Sequence, residues 1–303
     1  MTEITEFQRK VREFFPEISL RLNEPMNKHT SFRIGGPAEV MAFPKTADEL
    51  SELVNKSRLL DCEIRILGAG TNILAPDEGV PGLVICLKDC AREMEPLSGN
   101  RIRVGAGVSM ASAAVFAAGL GLSGLEFAHG IPGTVGGGVY MNAGAYGGEI
   151  RDVCESVDVM DENGAVRTLL NKEMDFSYRH SRLEEEGGVV VSAVFALTPG
   201  NEQEIREKMR ELMAKRSASQ PLDKPSAGSA FKRPVGGYAA ALIDGAGLKG
   251  YRVGDAAISE KHAGFAVNLG NATAADVNLL LQNVSDIVFE KSGIRLEPEV
   301  RIW

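Results

Sequence analysis

The sequence predicts an α+β fold of two or three domains, and three observations lead to this prediction. The chain has 303 residues, which at roughly 100 to 200 residues per domain is enough for more than one hydrophobic core. Short apolar segments typical of strands alternate with amphipathic helical segments, and strands run repeatedly into glycine-rich loops. Apolar residues make up 44% and charged residues 24% of the chain, which is typical of a globular protein and excludes a disordered or fibrous one.

A capped helix is the first element that the pattern identifies. Thr46 and Glu49 have the spacing of a capping box, and Leu50 and Leu53 lie near one face of the segment that follows. This pattern predicts a helix over residues 47–59.

Strands in the first half of the chain end in glycine-rich loops. Apolar runs bounded by turn residues predict strands at residues 64–67, 83–87 and 101–104. The first strand runs into residues 68–72, and the third runs into residues 105–107. Ser109 is then expected to cap a short alanine-rich helix that ends near Ala118.

The second half begins with a predicted hairpin. Asn163-Gly164 favours the positive φ of a hairpin turn between strands at residues 153–160 and 165–169. A Ser/Pro-rich stretch at residues 217–226 predicts a domain boundary. The other predicted elements are strands at residues 189–197, 264–269 and 296–302, and helices at residues 202–217 and 273–290.

The charge balance excludes one class of partner. With 33 Lys and Arg residues against 41 Asp and Glu residues, the net charge is −8. Because no long basic run is present, we expect no nucleic-acid partner. A few local cations and backbone N–H groups can still hold a phosphate on an acidic protein.

The cysteines and the N-terminus bear on location. The four cysteines show neither C-x-x-C spacing nor a neighbouring His, so we expect reduced thiols and no metal site. The polar N-terminus lacks the apolar segment of a secretory signal, so we expect a cytoplasmic protein. Residues 104–125 are uncharged but contain five glycines and three serines, which predicts buried, ligand-facing backbone and no membrane helix.

Two glycine-rich segments are candidate ligand sites. In residues 68–72, the missing Cβ atoms let backbone N–H groups approach a phosphate, but a tight turn explains the segment equally well. Ile73 stands where the dinucleotide fingerprint G-x-G-x-x-G requires glycine. Residues 130–148 are uncharged up to Glu149 and rich in glycine, which favours contact with a flat, polar, anionic ligand over a purely structural loop.

Three polar side chains are candidates for chemistry, and each has an alternative explanation. Arg179 has the donors to bind a carboxylate in a bidentate way. Spacing alone does not decide between this role and an exposed hairpin arginine, which is somewhat favoured. Ser229 lies in a segment that either presents a hydroxyl and two cations to phosphate or simply ends a linker. Glu299 is either a catalytic carboxylate or a surface residue.

Six motifs, in this order along the chain, resemble those of the UDP-N-acetylenolpyruvoylglucosamine reductases, bacterial flavoenzymes that make UDP-N-acetylmuramate for peptidoglycan. The resemblance runs from about Asn27 to Trp303. Its motifs are T-S-F-R-I-G-G at 30–36, G-A-G-T-N at 68–72, G-I-P-G-T-V-G at 130–136, S-Y-R at 177–179, G-S-A-F-K at 228–232 and L-E-P-E-V-R at 296–301.

The resemblance implies a particular version of the α+β fold. It implies a two-subdomain FAD-binding module of the vanillyl-alcohol-oxidase (PCMH) type at residues 1–75 and 76–200, followed by an α+β substrate-binding domain at residues 201–303. FAD is expected to bind non-covalently. The residues matched to FAD contacts are Arg33, Gly68, Ala69, Gly70, Thr71, Asn72, Gly130, Ile131, Pro132, Gly133, Thr134, Gly136 and Gly137.

The resemblance also implies a reaction and its residues. Arg179, Ser229 and Glu299 match the three catalytic positions of the family. Arg233 stands where many members have Asn, which is expected to alter phosphate contacts without changing the chemistry. The residues expected to contact the substrate are Asn142, Tyr178, Lys232, Arg233 and His262.

In the implied reaction, NADPH reduces FAD and leaves, and the enolpyruvyl ether of UDP-N-acetylglucosamine then takes its place and is reduced. Side chains alone perform hydride transfer poorly, so a cofactor has to supply it. Arg179 and Glu299 are expected to stabilise the negative charge that develops beside the substrate carboxylate. Ser229 is expected to protonate carbon, assisted by Lys232 or by an ordered water.

Two other functions remain open at this level. The first is an oxidase or dehydrogenase of the same fold that uses FAD on another substrate. The second is a non-catalytic protein that binds a UDP-sugar or a flavin. The short connection before residue 202 resembles the compact type of the family, which lacks the insert that covers the substrate.

Overall fold

The structure is a computed structural model that describes residues 4–303. The first three residues of the predicted N-terminal subdomain, and of the polar N-terminal segment, lie outside the described residues. Among the described helices, none combines the length and the apolar character that crossing a lipid bilayer requires.

The helices of the described chain are mostly short. They are α1 (Glu6–Phe14), α2 (Ala47–Ser57), α3 (Met110–Gly119), α4 (Val135–Tyr140), α5 (Ile150–Val153), α6 (Leu183–Glu186), α7 (Glu202–Ser219), α8 (Ala239–Gly245) and α9 (Ala274–Ser292).

The strands are also short and are distributed along the whole described chain. They are β1 (Ser19–Pro25), β2 (Pro37–Phe43), β3 (Ile64–Leu67), β4 (Ile73–Leu74), β5 (Val80–Cys86), β6 (Met94–Leu97), β7 (Arg101–Gly105), β8 (Leu122–Ser123), β9 (Gly144–Ala145), β10 (Gly148–Glu149), β11 (Cys154–Met160), β12 (Val166–Leu170), β13 (Val189–Ala196), β14 (Thr198–Pro199), β15 (Ser226–Ser229), β16 (Arg252–Val253), β17 (Ala256–Ile258), β18 (Phe265–Asn268) and β19 (Arg301–Ile302).

The described chain packs into two compact units, and each is made of discontinuous segments. The first unit contains the described residues up to 22 and residues 40–69 and 82–215, and the second contains residues 23–39, 70–81 and 216–303. These units divide the chain differently from the three consecutive domains expected above, and the limits of those domains stay a prediction.

The first unit is built around an antiparallel sheet with helices packed on it. The strand order is β12-β11-β13-β7-β6. Its core joins Val104 on β7 and Phe195 on β13 to Ala114 on α3 and Val139 on α4, all of them buried. A second core packs α1 and α2 against apolar residues of β2 and β5, with Leu53 and Ile85 fully buried.

The second unit combines the C-terminal part of the chain with two earlier segments. A four-stranded sheet has the order β15-β18-β17-β16, and its neighbouring strands pair antiparallel. Helix α9 contributes Val277, Leu280 and Val284 to the buried core, together with Phe32 and Leu74 from the earlier segments. The last strand, β19, pairs parallel to β4.

Most of the predicted elements are confirmed. Helix α3 begins after Ser109, whose Oγ accepts a hydrogen bond from the Ser112 N–H at 3.0 Å. Strands β11 and β12 form the predicted antiparallel hairpin, and Gly164 has a positive φ of 78°. Cys86, Cys90 and Cys154 are buried free thiols, as predicted, whereas Cys62 is half-buried.

Three details of the prediction are wrong. The carboxylate of Glu49 accepts from the Lys45 N–H at 2.7 Å, so the cap of α2 is not the reciprocal pair with Thr46 that we expected. Helix α1 was not identified, although Thr5 and Gln8 form a reciprocal capping box at its start. The terminal strand covers only Arg301–Ile302, and Pro298, which has no N–H to donate, lies within the part that does not form regular ladder pairs.

Candidate active site

A glycine-lined cleft lies in the first unit, where β3 ends. A Cβ atom added to Gly68 would lie 2.7 Å from Thr134 Oγ1. That distance is too short for a side chain, so the loop after β3 and the start of α4 can lie this close only because residue 68 is glycine. Thr134 caps α4, and its Oγ1 accepts from the Gly137 N–H at 3.3 Å.

The second glycine loop is held by backbone hydrogen bonds to the segment that follows β7. The Val135 N–H donates to Val108 O at 2.8 Å, and the Met110 N–H donates to Gly133 O at 3.0 Å. A Cβ atom on Gly136 would lie 2.9 Å from Ala106 Cβ. Three glycine-rich segments therefore lie side by side: the start of the loop after β3, the loop after β7 and residues 130–137. The sequence predicted each segment but not that they come together.

The cleft has a volume of about 270 Å³ and is lined by glycine backbone, hydroxyl groups, two cations and apolar side chains that include Met94 and Val108. Predicted cofactor contacts Ala69, Gly133 and Thr134 are among its lining residues, whereas Lys88 and Arg92 were missed by the sequence analysis. Both cations are exposed and follow β5 along the chain. No motif marks them, because only the packing of their loop beside the glycine segments places them in the cleft.

A buried polar atom without a partner lies next to the second glycine loop. Within the described residues, His129 Nδ1 is one of two buried side-chain nitrogen or oxygen atoms that have no hydrogen-bond partner. A buried unpaired group costs free energy, and Gly130 follows directly in the chain. His129 is not among the residues that line the cleft.

Arg179 lies in a tight turn of the first unit, in an unusual backbone conformation. Ser177 and His180 exchange two backbone hydrogen bonds of 3.2 Å, and Arg179 between them has a φ of 58°. Its guanidinium lies over the Tyr178 ring, 5.1 Å from the ring centroid. A non-glycine residue in the left-handed region is uncommon and occurs preferentially at functional sites.

In the second unit, the segment around Gly70 is closely packed. Gly70 has a φ of 62°, and a Cβ atom there would lie 2.0 Å from His29 O. Ser31 joins this segment to two others. Its N–H donates to Gly70 O at 3.0 Å, and its Oγ donates to Ser226 O at 2.6 Å. Arg33 is exposed and has a φ of 57°.

The second unit brings Ser229 and Glu299 onto neighbouring segments. Ser229 ends β15 and pairs with Phe265, and the Glu299 N–H donates to the carbonyl of the next residue, Ala230, at 2.9 Å. On its other side, Glu299 O accepts from Asn72 Nδ2 at 3.2 Å. The predicted cofactor residue Asn72 and two predicted catalytic residues are thus held in one hydrogen-bonded cluster, and all three are half-buried.

The residues expected to contact the substrate lie in different surroundings. Lys232 and Arg233 are exposed, with Arg233 stacked 4.8 Å from the Tyr238 ring centroid. Tyr178 is 45% exposed. Asn142, in contrast, is fully buried, which does not fit the predicted contact with the substrate.

His262 is held as a neutral imidazole in the second unit. Its Nδ1 accepts from the Gly264 N–H at 3.1 Å, and its ring meets the Phe265 ring edge-on at 5.0 Å. Burial disfavours the charged form, and this desolvation lowers the pKa of His262 below its ordinary value. The remaining nitrogen, Nε2, therefore carries the proton and is a hydrogen-bond donor.

Comparison with protein families gives the class of the protein first. A model of the FAD binding domain matches residues 38–170, which include the glycine cleft and both strand-to-glycine motifs. The fold and the cleft define a FAD-binding protein of the PCMH type, as predicted. A second model, for the UDP-N-acetylenolpyruvoylglucosamine reductase C-terminal domain, matches residues 220–303.

Relatives of nearly full length then give the family. A UDP-N-acetylenolpyruvoylglucosamine reductase of Caldanaerobacter subterraneus subsp. tengcongensis is 49% identical over 293 residues, which cover 97% of this chain and 96% of the relative. One of Agathobacter rectalis is 47% identical and covers 98% of both chains. The crystal structure of the Thermus caldophilus reductase matches 95% of this chain and 99% of its own, with a TM-score of 0.79 and 39% identity. The chain belongs to the UDP-N-acetylenolpyruvoylglucosamine reductase family.

The residues of the cleft fit a FAD molecule. The pyrophosphate of FAD is anionic, and the cleft offers Lys88, Arg92 and the hydroxyl of Ser109 at the start of α3. Gly133 lines the cleft, and without a side chain its backbone allows close approach of a flat ligand.

Proposed function

We propose that this protein is a FAD-dependent UDP-N-acetylmuramate dehydrogenase, which reduces the enolpyruvyl ether of UDP-N-acetylglucosamine to UDP-N-acetylmuramate in peptidoglycan precursor synthesis. The observation that carries the proposal is the 49% identity to a curated reductase over 97% of the chain. That match includes the FAD-binding part and the C-terminal part together. A flavin oxidase that shares only the cofactor module does not explain it.

FAD, when bound, supplies the hydride chemistry that side chains lack, and NADPH is the proposed reductant. The chain's part is to bind and orient the cofactor through the glycine loops at residues 68–72 and 130–137. Lys88 and Arg92 balance the charge of its phosphates. We propose non-covalent binding, because glycine backbone and cations provide contacts of this kind.

Arg179 is proposed to bind the carboxylate of the enolpyruvyl group. Its planar guanidinium matches a carboxylate in a bidentate arrangement, and the turn that carries it fixes its backbone. Negative charge that develops beside this carboxylate during reduction is stabilised by fixed donors that need not reorganise. Glu299, held through its backbone by Asn72 and Ala230, is proposed to share a proton with the same group.

Ser229 is proposed to protonate the carbon that receives negative charge. An alcohol is a weak acid at neutral pH, so it donates a proton only to a strongly basic carbanion or enolate. Lys232, three residues further on, or an ordered water is proposed to assist it. The Lys232 N–H donates to Glu297 O at 2.9 Å, so the segments that carry Ser229 and Glu299 are joined on this side too.

The substrate also carries a nucleotide diphosphate and a sugar. Lys232 and Arg233 are exposed cations on the loop after β15, and they suit phosphate oxygens. Tyr178, which is exposed, and the Nε2–H of His262 are proposed as further contacts. We also propose that the chain is of the compact type, which lacks the insert that covers the substrate.

Anaerobic mixing experiments test the proposal directly. The purified protein should be yellow, lose its visible absorbance with NADPH, and regain it with UDP-N-acetylglucosamine enolpyruvate in the absence of oxygen. Loss of colour without its return discards this substrate and favours another dehydrogenase of the same fold. A protein that binds the UDP-sugar but takes no electrons from NADPH is a non-catalytic binding protein.

The Ser229→Ala variant tests the proton donor. We expect flavin reduction by NADPH within about twofold of the parent rate, and a limiting rate of reoxidation by the substrate lower by about 10²- to 10⁴-fold, the usual contribution of general acid catalysis. Ser219→Ala, at the exposed end of α7, is the matched control and should leave both rates unchanged. Equal losses in both half-reactions contradict the role.

A further inference from the structure

Asn142 is a fully buried polar residue whose side chain has no free hydrogen-bonding atom. Its Nδ2 donates to Glu149 Oε2 at 3.0 Å and to Ser177 O at 2.9 Å, and its Oδ1 accepts from the Arg151 N–H at 3.0 Å. Its φ of 43° is left-handed, a conformation that Asn tolerates better than most residues. A side chain so enclosed acts on the protein and does not touch a ligand.

The partner that bears on function is Ser177, because this residue begins the turn that carries Arg179. Without an external contact, a turn with a left-handed arginine has other backbone conformations of lower energy. The hydrogen bond from Asn142 holds the carbonyl of Ser177, at the N-terminal end of the turn. The peptide plane of Ser177 is thereby fixed two residues before Arg179.

A second buried side chain holds the far side of the same turn. Ser181 is fully buried, and its Oγ donates to Tyr140 O at 2.8 Å. Ser177 and Ser181 flank the turn, and Tyr140 and Asn142 flank the end of α4. The turn is therefore attached to one short segment at both of its ends.

The segment that holds the turn is continuous with the proposed cofactor loop. Helix α4 begins after Thr134, which lies beside Gly68 in the cleft, and ends at Tyr140. Only six residues of helix separate the glycine loop from the two attachment points. An arginine held in this way has its position set relative to the cofactor loop before any substrate binds, and preorganised donors stabilise developing charge without reorganisation.

We propose that Asn142 and Ser181 are positioning residues that hold the Arg179 turn against the end of α4. This proposal rests on the proposed function of Arg179 as the group that binds the substrate carboxylate. It replaces the expectation that Asn142 contacts the substrate.

The test compares both half-reactions in Asn142→Gly and Ser181→Ala holoenzyme. Glycine keeps the left-handed backbone at residue 142 and removes the amide, and the Ser181→Ala change removes a single hydroxyl. We expect FAD content and the rate of reduction by NADPH to stay near parent values. The limiting rate of reoxidation at saturating enolpyruvyl substrate should fall about 10- to 100-fold, as small misplacements of a catalytic group do.

A double-mutant cycle separates positioning from a general structural effect. In an Arg179→Ala background, Asn142→Gly should cause no further loss in reoxidation, because the group that it positions is gone. Asn171→Ala is the matched control. The Nδ2 of Asn171, like that of Asn142, makes two hydrogen bonds, here to the backbone carbonyls of Arg151 and Cys154. Neither carbonyl belongs to the turn, so Asn171→Ala should leave reoxidation unchanged.

Each remaining outcome overturns a defined statement. If Arg179→Ala slows reoxidation while both Asn142→Gly and Ser181→Ala leave it unchanged, positioning is overturned and the function of Arg179 stands. Additive losses in the double variant also overturn positioning. If Arg179→Ala itself leaves reoxidation unchanged, the role of the arginine is overturned, and the positioning proposal with it.

Discussion

At the scale of single residues, Gly68 shows most directly how the sequence shapes the cleft. It has an ordinary backbone conformation, so its requirement for glycine comes from the space occupied by Thr134 and not from φ. An added methyl group pushes on the Thr134 Oγ1 that caps α4. Steric crowding at this point therefore disturbs both glycine loops at once.

We expect Gly68→Ala to weaken FAD binding. Overpacking costs about 1–3 kcal/mol, which corresponds to about a 5- to 150-fold rise in the Kd for FAD if the whole cost falls on the bound state. Titration of the apoprotein with FAD, followed by flavin fluorescence, measures it. Gly245→Ala on α8 is the control, because a Cβ atom there meets no atom within 4 Å. Equal affinities in the two variants contradict the steric explanation.

The two kinds of cleft residue differ in how far the sequence predicts them. Gly133 and Thr134 lie in a dense glycine motif, so a position beside a ligand cleft was expected from the chain itself. Lys88 and Arg92 look like ordinary exposed cations after a strand, because their value depends on which loop packs beside them. Asn142 lies in the glycine-rich segment at residues 130–148, but its burial, on which the proposed positioning role rests, depends on tertiary packing.

At the scale of elements, helix α9 shows how a distant residue completes a helix end. Thr273 caps the helix in a reciprocal pair with Asp276, as expected for the start of this helix. The structure adds Asp77, whose two carboxylate oxygens accept from the Ala274 N–H at 2.8 Å and the Ala275 N–H at 3.0 Å. Three of the first N–H groups are thus satisfied, two of them by a residue almost 200 positions earlier.

We expect Asp77→Ala to destabilise the protein by about 1–2 kcal/mol, the range measured when a helix cap is removed. Asp77→Asn, which keeps one acceptor oxygen, should show a smaller loss. Urea unfolding followed by far-ultraviolet circular dichroism measures both. Asp223→Ala, an exposed residue of the loop after α7, is the control. A free energy of unfolding for Asp77→Ala that equals the control contradicts this cap.

Elements were predictable where local chemistry alone specifies them. Helices α2 and α3 have side-chain caps and apolar faces, and β3 and β7 are apolar runs that end in glycine. Helix α1 has a Thr-x-x-Gln cap signal that was not used. The length of the terminal strand was overestimated. The alternating pattern at residues 296–302 has two causes: residues 297–299 lie beside residues 230–232, and only residues 301–302 form a strand. The sequence pattern is the same for both, so it cannot separate them.

At the scale of the whole molecule, the chain alternates between the two compact units. Residues 23–39 and 70–81 belong to the second unit although they are surrounded in sequence by the first. A division of the sequence into consecutive domains therefore cannot predict two units made of discontinuous segments. Strands β1, β2 and β5 each contain residues of both units.

This continuity leads to a prediction about unfolding, and the chain carries a separate probe for each unit. All four cysteines lie in the first unit, and the single tryptophan, Trp303, lies in the second. Desolvation by burial raises the pKa of Cys90 to about 11 and of Cys154 to about 12. At pH 8 these thiols are almost entirely protonated in the folded state and react slowly, so their labelling reports opening of the first unit.

We expect thiol labelling of Cys90 and Cys154 and the fluorescence of Trp303 to change at the same urea concentration in the holoenzyme. The chain crosses between the units within β1, β2 and β5, so unfolding of either unit takes away part of each of these strands and leaves backbone groups of the remaining part without partners. Cys62, which is half-buried, is labelled earlier and is distinguished by mass spectrometry of the labelled peptides. Clearly different midpoints for the two probes contradict cooperative unfolding and show that one unit stays folded after the other has unfolded.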